Sequence, residues 1–127
     1  MPLSKSDTHL TPDRVWDLIR GLWDYSKWEF FDPCPANSTF DGLKIQWQQL
    51  NFVNPPYTLL KEFVFKAMSE SVRGSTTIML LPAKTDQMWF HILIDKRYEI
   101  NWIQKRLKFK NNKWSATQPH FLVLIKQ

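Results

Sequence analysis

Glycine is scarce in this chain: Gly21, Gly42 and Gly74 are its three. They stand far apart, so none belongs to the clustered loop through which a backbone usually approaches a nucleotide or phosphate. Cysteine is scarcer still. A lone Cys34 excludes an internal disulfide and a cysteine-rich metal centre, and it suits a reducing cytoplasm. It also lacks a basic neighbour in sequence that would lower its pKa. Histidines are few. His9 and His120 are isolated, and His91, among Trp89, Phe90, Ile92 and Leu93, reads as a half-buried helix residue rather than a base. No metal is expected. No apolar run reaches the ~20 residues a bilayer span needs. The start, Met1-Pro2-Leu3-Ser4-Lys5, is polar and unlike a secretory leader. Internal repeats and low-complexity segments are absent as well.

Aromatic and apolar side chains are plentiful. The 127 residues are 43% hydrophobic and 15% aromatic, enough to pack a core, and a single domain over 1–127 is expected. Charge is unevenly placed. Residues 1–70 carry 7 Lys+Arg and 9 Asp+Glu, a balance of −2, while residues 71–127 carry 10 and 3, a balance of +7. The excess lies in Lys96, Arg97, Lys105, Arg106, Lys108, Lys110 and Lys113, opposed by Glu99 alone. Such a block either neutralises phosphates, with salt-sensitive affinity for nucleic acid, or forms a solvated edge of a sheet.

Thr11-Pro12 opens a first helix, with Thr as N-cap, Pro in the first helical position and Asp13 complementing the positive end. Val15, Trp16, Leu18, Ile19, Leu22 and Trp23 then recur at helical spacing to about Tyr25. A short strand is expected from Trp28 to Phe31, before the loop Asp32-Pro33-Cys34-Pro35-Ala36-Asn37. Residues 36–49 show no clear period. Leu50 to Val53 reads as a strand, 58–72 as a helix broken by Gly74, and Thr76 to Leu81 as a buried strand closed by Pro82. Thr85 and Asp86 are candidate caps for a helix through about Ile94. Tyr98 to Ile103 and His120 to Ile125 read as later strands, with Arg106 to Phe109 a further strand or hairpin arm. Strands alternating with helical crossovers indicate an α/β fold with a mostly parallel sheet of about five strands. Helices should cover both faces, and the closing strands should make an antiparallel edge.

Asn54-Pro55-Pro56-Tyr57 lies between the 50–53 strand and the following helix, where open α/β sheets place their ligand crevices. Two prolines fix φ and donate no hydrogen bond, so the loop is stiff and its carbonyls are expected to face outward as acceptors. An Asn amide beside them can orient an exocyclic amine, and a Tyr face can stack on a planar base.

The loop resembles the catalytic motif of amino-group DNA methyltransferases. Thr11-Pro12, Phe31-Asp32-Pro33-Cys34-Pro35, Asp41-Gly42-Leu43, Trp47, Asn54 to Tyr57, Leu80 to Asp86, Trp89-Phe90-His91 and Arg106 to Phe109 occur in one order. Together they resemble the phage-type DNA N6-adenine methyltransferase family over about residues 10–125. The resemblance implies a reduced Rossmann-like methyltransferase fold without a separate target-recognition domain, in the cytoplasm of a bacterial host. It implies methyl transfer from S-adenosylmethionine to adenine N6 of double-stranded DNA. Cytosine N4 methylation, which uses the same amine geometry, and a non-catalytic DNA-binding or regulatory subunit remain alternatives. Asn54 and the Pro55 carbonyl would hold the amine, Pro56 would shape the loop, and Tyr57 would stack on the extruded base. Alignment for direct displacement, with no covalent enzyme intermediate, would supply most of the catalysis.

For the cofactor, Asp32 is the candidate partner of its amino group and Thr11 of its carboxylate, with Pro33 and Asn54 beside them. Asp32 is equally readable as a cap on its own loop. Asp41 is a candidate ribose contact or an ordinary turn residue, and Trp47 either stacks on adenine or fills the core. Lys84 either lines the DNA-facing rim or belongs to a helix-capping turn. Arg97, Lys105, Arg106, Lys108, Lys110 and Lys113 are the candidate DNA-backbone contacts, with Trp102 and Trp114 interleaved. About twenty residues separate Asp32 from Asn54, too few for the two strand–helix units a full methyltransferase sheet places there. The cofactor pocket should then be shallow on one side, and a homodimer or a partner subunit is possible.

Overall fold

Three strands buried on both faces, with a more exposed fourth at one edge, build the sheet. The computed structural model describes residues 10–35 and 38–127; the polar start, His9 and Ala36-Asn37 lie outside them. Helix α1 is Asp13–Trp23, strand β1 Leu50–Val53 and helix α2 Leu60–Val72. Strand β2 (Thr76–Pro82), helix α3 (Met88–Asp95), strand β3 (Glu99–Trp102) and strand β4 (His120–Ile125) complete the elements. The sheet order is β1-β2-β4-β3. β1 pairs parallel with β2, in the register Val53 with Met79. β4 runs antiparallel to both β2 and β3, pairing Pro82 with His120 on one side and Trp102 with Phe121 on the other.

The result is a mixed α/β fold. Four strands among the described residues replace the expected five or so, and only one of three neighbouring pairs is parallel. Three strands, β1, β2 and β3, still point one way. The antiparallel element lies at the expected end of the sheet, but the strand that runs against the others is β4, one in from the edge.

Side chains two apart along a strand share a face. Val53, Met79, Leu81, Phe121, Val123 and Ile125 pack beneath α2 and α3, on Phe63, Val64, Ala67, Trp89, Phe90 and Leu93. Phe52, Ile78, Leu80, Leu122 and Leu124 face the other way, onto Val15 and Ile19 of α1 and onto Ile103, Leu107 and Phe109. Helices therefore cover both faces, as the sequence leads one to expect. Each buried Val, Leu, Ile, Phe or Met among them contributes roughly 1.5–3 kcal/mol relative to an exposed one.

Local chemistry moves several boundaries. Pro12, not Thr11, is the N-cap of α1. Trp28 to Phe31 is not a strand: Ser26 and Glu29 form a capping box that closes a 3₁₀ turn over Lys27–Glu29. Only Phe31 pairs onward, as a single parallel bridge to Asn51. α3 starts at Met88 behind Gln87, and the Thr85 carbonyl is instead bonded to His91, an exposed residue rather than a half-buried one. Arg106 to Phe109 is irregular. The Arg14 guanidinium of α1 takes the carbonyls of Gln104, Lys105 and Arg106 at 2.8, 3.2 and 3.2 Å, and Lys105 has φ 66°. Both remove the extended pairing a strand requires.

Residues 38–49 form a turn-rich layer against α2. The Trp47 amide donates to the buried Glu70 carboxylate, and its indole donates to the Gly42 carbonyl at 2.8 Å while stacking on Phe63. Trp47 is thus a core residue. Gly42 is dictated by space, since a Cβ there would stand 1.9 Å from the Pro33 carbonyl oxygen.

Candidate active site

At the end of β1 the chain has no freedom to wander. Asn54, Pro55 and Pro56 are buried, and Pro56 is extended at φ −64°, ψ 146°. The chain then tightens into a single 3₁₀ turn, Tyr57–Leu59, that leads into α2. The Leu59 amide donates to the Pro56 carbonyl at 3.0 Å. Of the two proline carbonyls expected to face outward, that of Pro56 is therefore spent inside the turn. The Pro55 carbonyl receives no hydrogen bond among the described residues.

The Asn54 amide nitrogen donates to Thr11 Oγ1 at 3.1 Å. That bond orients the amide and joins the loop to the segment just before α1. Thr11 also lines a cleft of about 260 Å³, walled by Trp16, Trp28, Phe30 and Phe52, with Lys27 and Asp32 at its edge. Trp28 is 84% exposed at its rim, with the Lys27 ammonium 4.8 Å from the ring centre. Asp32 Oδ1 accepts from the Cys34 amide at 2.8 Å, so it does cap its own loop. Asp32 keeps an exposed surface, while partial burial of its carboxyl beside the cleft disfavours the charged form. That desolvation raises its pKa to about 6, against the opposing pull of the Cys34 amide.

Pro33 and Asp41 line a different cavity, about 190 Å³, floored by Phe40, Leu59 and Phe63. Asp41 Oδ1 accepts from the Leu43 amide at 3.0 Å, closing the turn that Gly42 permits. Cys34 lines the same cavity. Burial first, then the nearby Asp32 and Asp41 charges, push its thiol up to about 12 and leave it unreactive at neutral pH.

Tyr57 stands on the open side of the loop, 37% exposed. Its hydroxyl lies 2.8 Å from Nε2 of His120, the first residue of β4. Burial pushes the phenol up to about 12, so it keeps its proton at neutral pH. His120 is fully buried, with Nδ1 3.2 Å from the Gln118 carbonyl and Phe109 edge-on at 5.4 Å. Sequence reading passes His120 over as isolated. Its one signal is its position at the head of a wholly apolar strand, where a buried ring nitrogen requires a partner.

The basic residues divide by sheet direction. Lys84, just beyond the end of β2, shares a cleft of about 420 Å³ with Tyr57, Lys61, Glu62 and Gln87. Lys105, Arg106 and Lys108 follow β3 and lie at the same end of the sheet as Asn54. Arg106 donates to the Thr117 carbonyl. Lys110 is paired with Asp13 at 2.6 Å, a contact that holds the Asp13 carboxyl below its usual range. Lys113 lies 5.4 Å from the ring centre of Trp114, which is 76% exposed. Arg97 precedes β3, at φ 58°, and belongs to the opposite end of the sheet. Among the described residues no three His, Cys, Asp or Glu side chains are grouped to hold a metal ion, and no helix is long and apolar enough to cross a membrane.

The fold thus sets a stiff Asn–Tyr loop at the carboxyl end of a parallel strand of an α/β sheet, beside an acid-bearing aromatic cleft. Comparison with known proteins gives the particular family. The family model DNA N-6-adenine-methyltransferase (Dam) matches residues 35–122. The DNA N-6-adenine-methyltransferase of Haemophilus phage HP1 (strain HP1c1) is 33% identical over 149 aligned residues, covering 97% of this chain and 84% of that protein. No solved structure matches. The chain belongs to the DNA N-6-adenine-methyltransferase (Dam) family. The matched span contains Asn54 to Tyr57, Asp41, the basic residues and His120, and begins after Thr11, Asp32 and Pro33.

Proposed function

We propose that this chain is a single-domain DNA methyltransferase that transfers the methyl group of S-adenosylmethionine to adenine N6, on a reduced Rossmann-like sheet. The observation that carries the reading is the Asn54–Thr11 hydrogen bond of 3.1 Å. Thr11 belongs to the Asp32 cleft, so one contact joins the amine-holding loop to the cleft best suited to the methyl donor. The family gives adenine over cytosine as the acceptor base.

The cleft fits a cationic, partly aromatic cofactor. It offers a carboxylate that is ionised above about pH 6, a hydroxyl and aromatic walls from Trp16, Trp28, Phe30 and Phe52. When bound, S-adenosylmethionine supplies an electrophilic methyl group. The chain's own work lies at the amine. The N6 lone pair is delocalised into the purine, so the nitrogen is a poor nucleophile. Hydrogen bonds from its N–H groups to the Asn54 side-chain oxygen and the Pro55 carbonyl would favour a pyramidal nitrogen. Tyr57 holds the ring plane after the base leaves the duplex. Pro55 and Pro56 prevent the loop from relaxing, so the alignment is present before the base arrives. Lys84, Lys105, Arg106 and Lys108, at this end of the sheet, face the DNA backbone.

Labelled S-adenosylmethionine and DNA of mixed sequence test the reading, with the product digested to nucleosides. N6-methyladenine is expected. Asn54→Ala should lower transfer by about 100-fold or more, the scale seen when one preorganised polar contact is removed, while DNA affinity stays within a few fold. Label in N4-methylcytosine, or unchanged turnover in Asn54→Ala, would overturn it.

A further inference from the structure

We propose that His120 is a positioning residue for methyl transfer: from β4 it fixes the Tyr57 ring through a hydrogen bond between the phenol and Nε2, and so sets the plane in which the target base is held. The inference rests on the reading of Asn54 to Tyr57 as the base-holding loop, and adds a residue 63 positions away in sequence.

Tyr57 needs such an anchor. The prolines fix the backbone on its N-terminal side, whereas the plane of the half-exposed ring depends on what its side chain meets. Tyr57 lines two clefts, one shared with Lys84 and Gln87, the other with Asn112 to Thr117. Its ring is a wall between them, and a swing in either direction would change both. The phenol oxygen, 2.8 Å from His120 Nε2, is the end of the ring farthest from its pivot, where a single bond restrains it best.

His120 has the rigidity to serve. Its carbonyl accepts from the Ile103 amide at 3.0 Å, and the preceding Pro119 carbonyl accepts from the Ala83 amide at 2.8 Å. The backbone is thus tied to both neighbouring strands. The imidazole is held at its other nitrogen by Gln118 and packed by Phe109. A backbone carbonyl can only accept, so Nδ1 carries the hydrogen toward Gln118. Nε2 then presents its lone pair to the phenol, and Tyr57 donates. The raised Tyr57 pKa of about 12 keeps that donor proton in place. His120 touches no reacting atom, and its action runs through Tyr57.

The test compares the parent with Tyr57→Phe, His120→Phe, the double variant and His120→Gln, all as the full chain, assayed for transfer to DNA adenine. Tyr57→Phe keeps the stacking face and loses the donor. It should lower kcat/KM for DNA about 10-fold, the upper range for one neutral hydrogen bond, and leave KM for S-adenosylmethionine within about twofold. His120→Phe should match it, the double variant should be no worse than either, and His120→Gln, which offers an acceptor, should recover part of the loss. Nitrogen-15 spectra of the imidazoles give a readout that packing alone would not move: a protonated Nδ1 at His120 in the parent, and a changed Nε2 signal in Tyr57→Phe. If His120→Phe does not fold, Tyr57→Phe and the spectra decide. Additive losses, or a Tyr57→Phe protein with parental kinetics and imidazole signals, would overturn the role of His120 alone. A parent that transfers no methyl to adenine would overturn the proposed reaction, and this role with it.

Discussion

At the scale of the residue, Asp32 shows how one side chain serves a turn and a cleft together. Its Oδ1 holds the Cys34 amide, while partial burial beside the cleft disfavours its charge. The folded pKa of about 6 lies above the ordinary 3.8, so the fold prefers the neutral acid. The stabilising contribution is complete below the unfolded value and is lost as pH rises through about 6. Above that the chain carries a poorly solvated carboxylate, which a bound cation would relieve. Asp32→Asn retains the oxygen acceptor and cannot ionise. Its stability relative to the parent should improve from about pH 4 to about pH 7, most steeply across the titration. Urea midpoints at spaced pH values measure this, and a constant difference would mean the carboxyl titrates as in free solution.

At the scale of the element, the legible parts are those specified by local pattern. α1, α2, β2 and β4 follow from apolar period and from Pro or Gly at their ends, and the Asn54 to Tyr57 loop is readable because its residues are rare and adjacent. Trp28 to Phe31 was legible differently: Ser26 and Glu29 spell a capping box that outweighs a few β-prone side chains. Other features depend on contacts distant in sequence. His120 meets Tyr57 only because β4 inserts between β2 and β3. Arg14 organises Gln104 to Arg106 only because α1 crosses that face, and nothing in the pattern of residues 104–109 announces it. Arg14→Leu keeps helix propensity and the apolar stem while removing those bonds. Amide exchange in residues 104–108 should then accelerate about 10-fold, with slower exchange in β4 unchanged. Equal protection in both proteins would show that Arg106–Thr117 and Ala116–Leu107 suffice to hold the segment.

At the scale of the molecule, strand direction decides which positive charges can serve the site. Because β3 points the same way as β1, the basic run that looks continuous in sequence is cut in two by the sheet. Lys105, Arg106 and Lys108 leave β3 on the side of Asn54 and Tyr57, whereas Arg97 enters it from the far end. Lys110 is held by Asp13 and contributes less to any new partner. DNA on the Asn54 side should release counterions at the first group and not at Arg97. Each phosphate contact contributes about 0.9 to the slope of log affinity against log salt. Lys105→Glu with Lys108→Glu should therefore weaken binding at low salt and flatten that slope by about 2. Arg97→Glu should leave the slope near the parental value, with only a small uniform loss from net charge. Fluorescence anisotropy on one duplex over a salt series separates the cases. Equal flattening by both variants would show that DNA wraps around β3, and that the carboxyl end of the sheet is not the sole face toward the backbone.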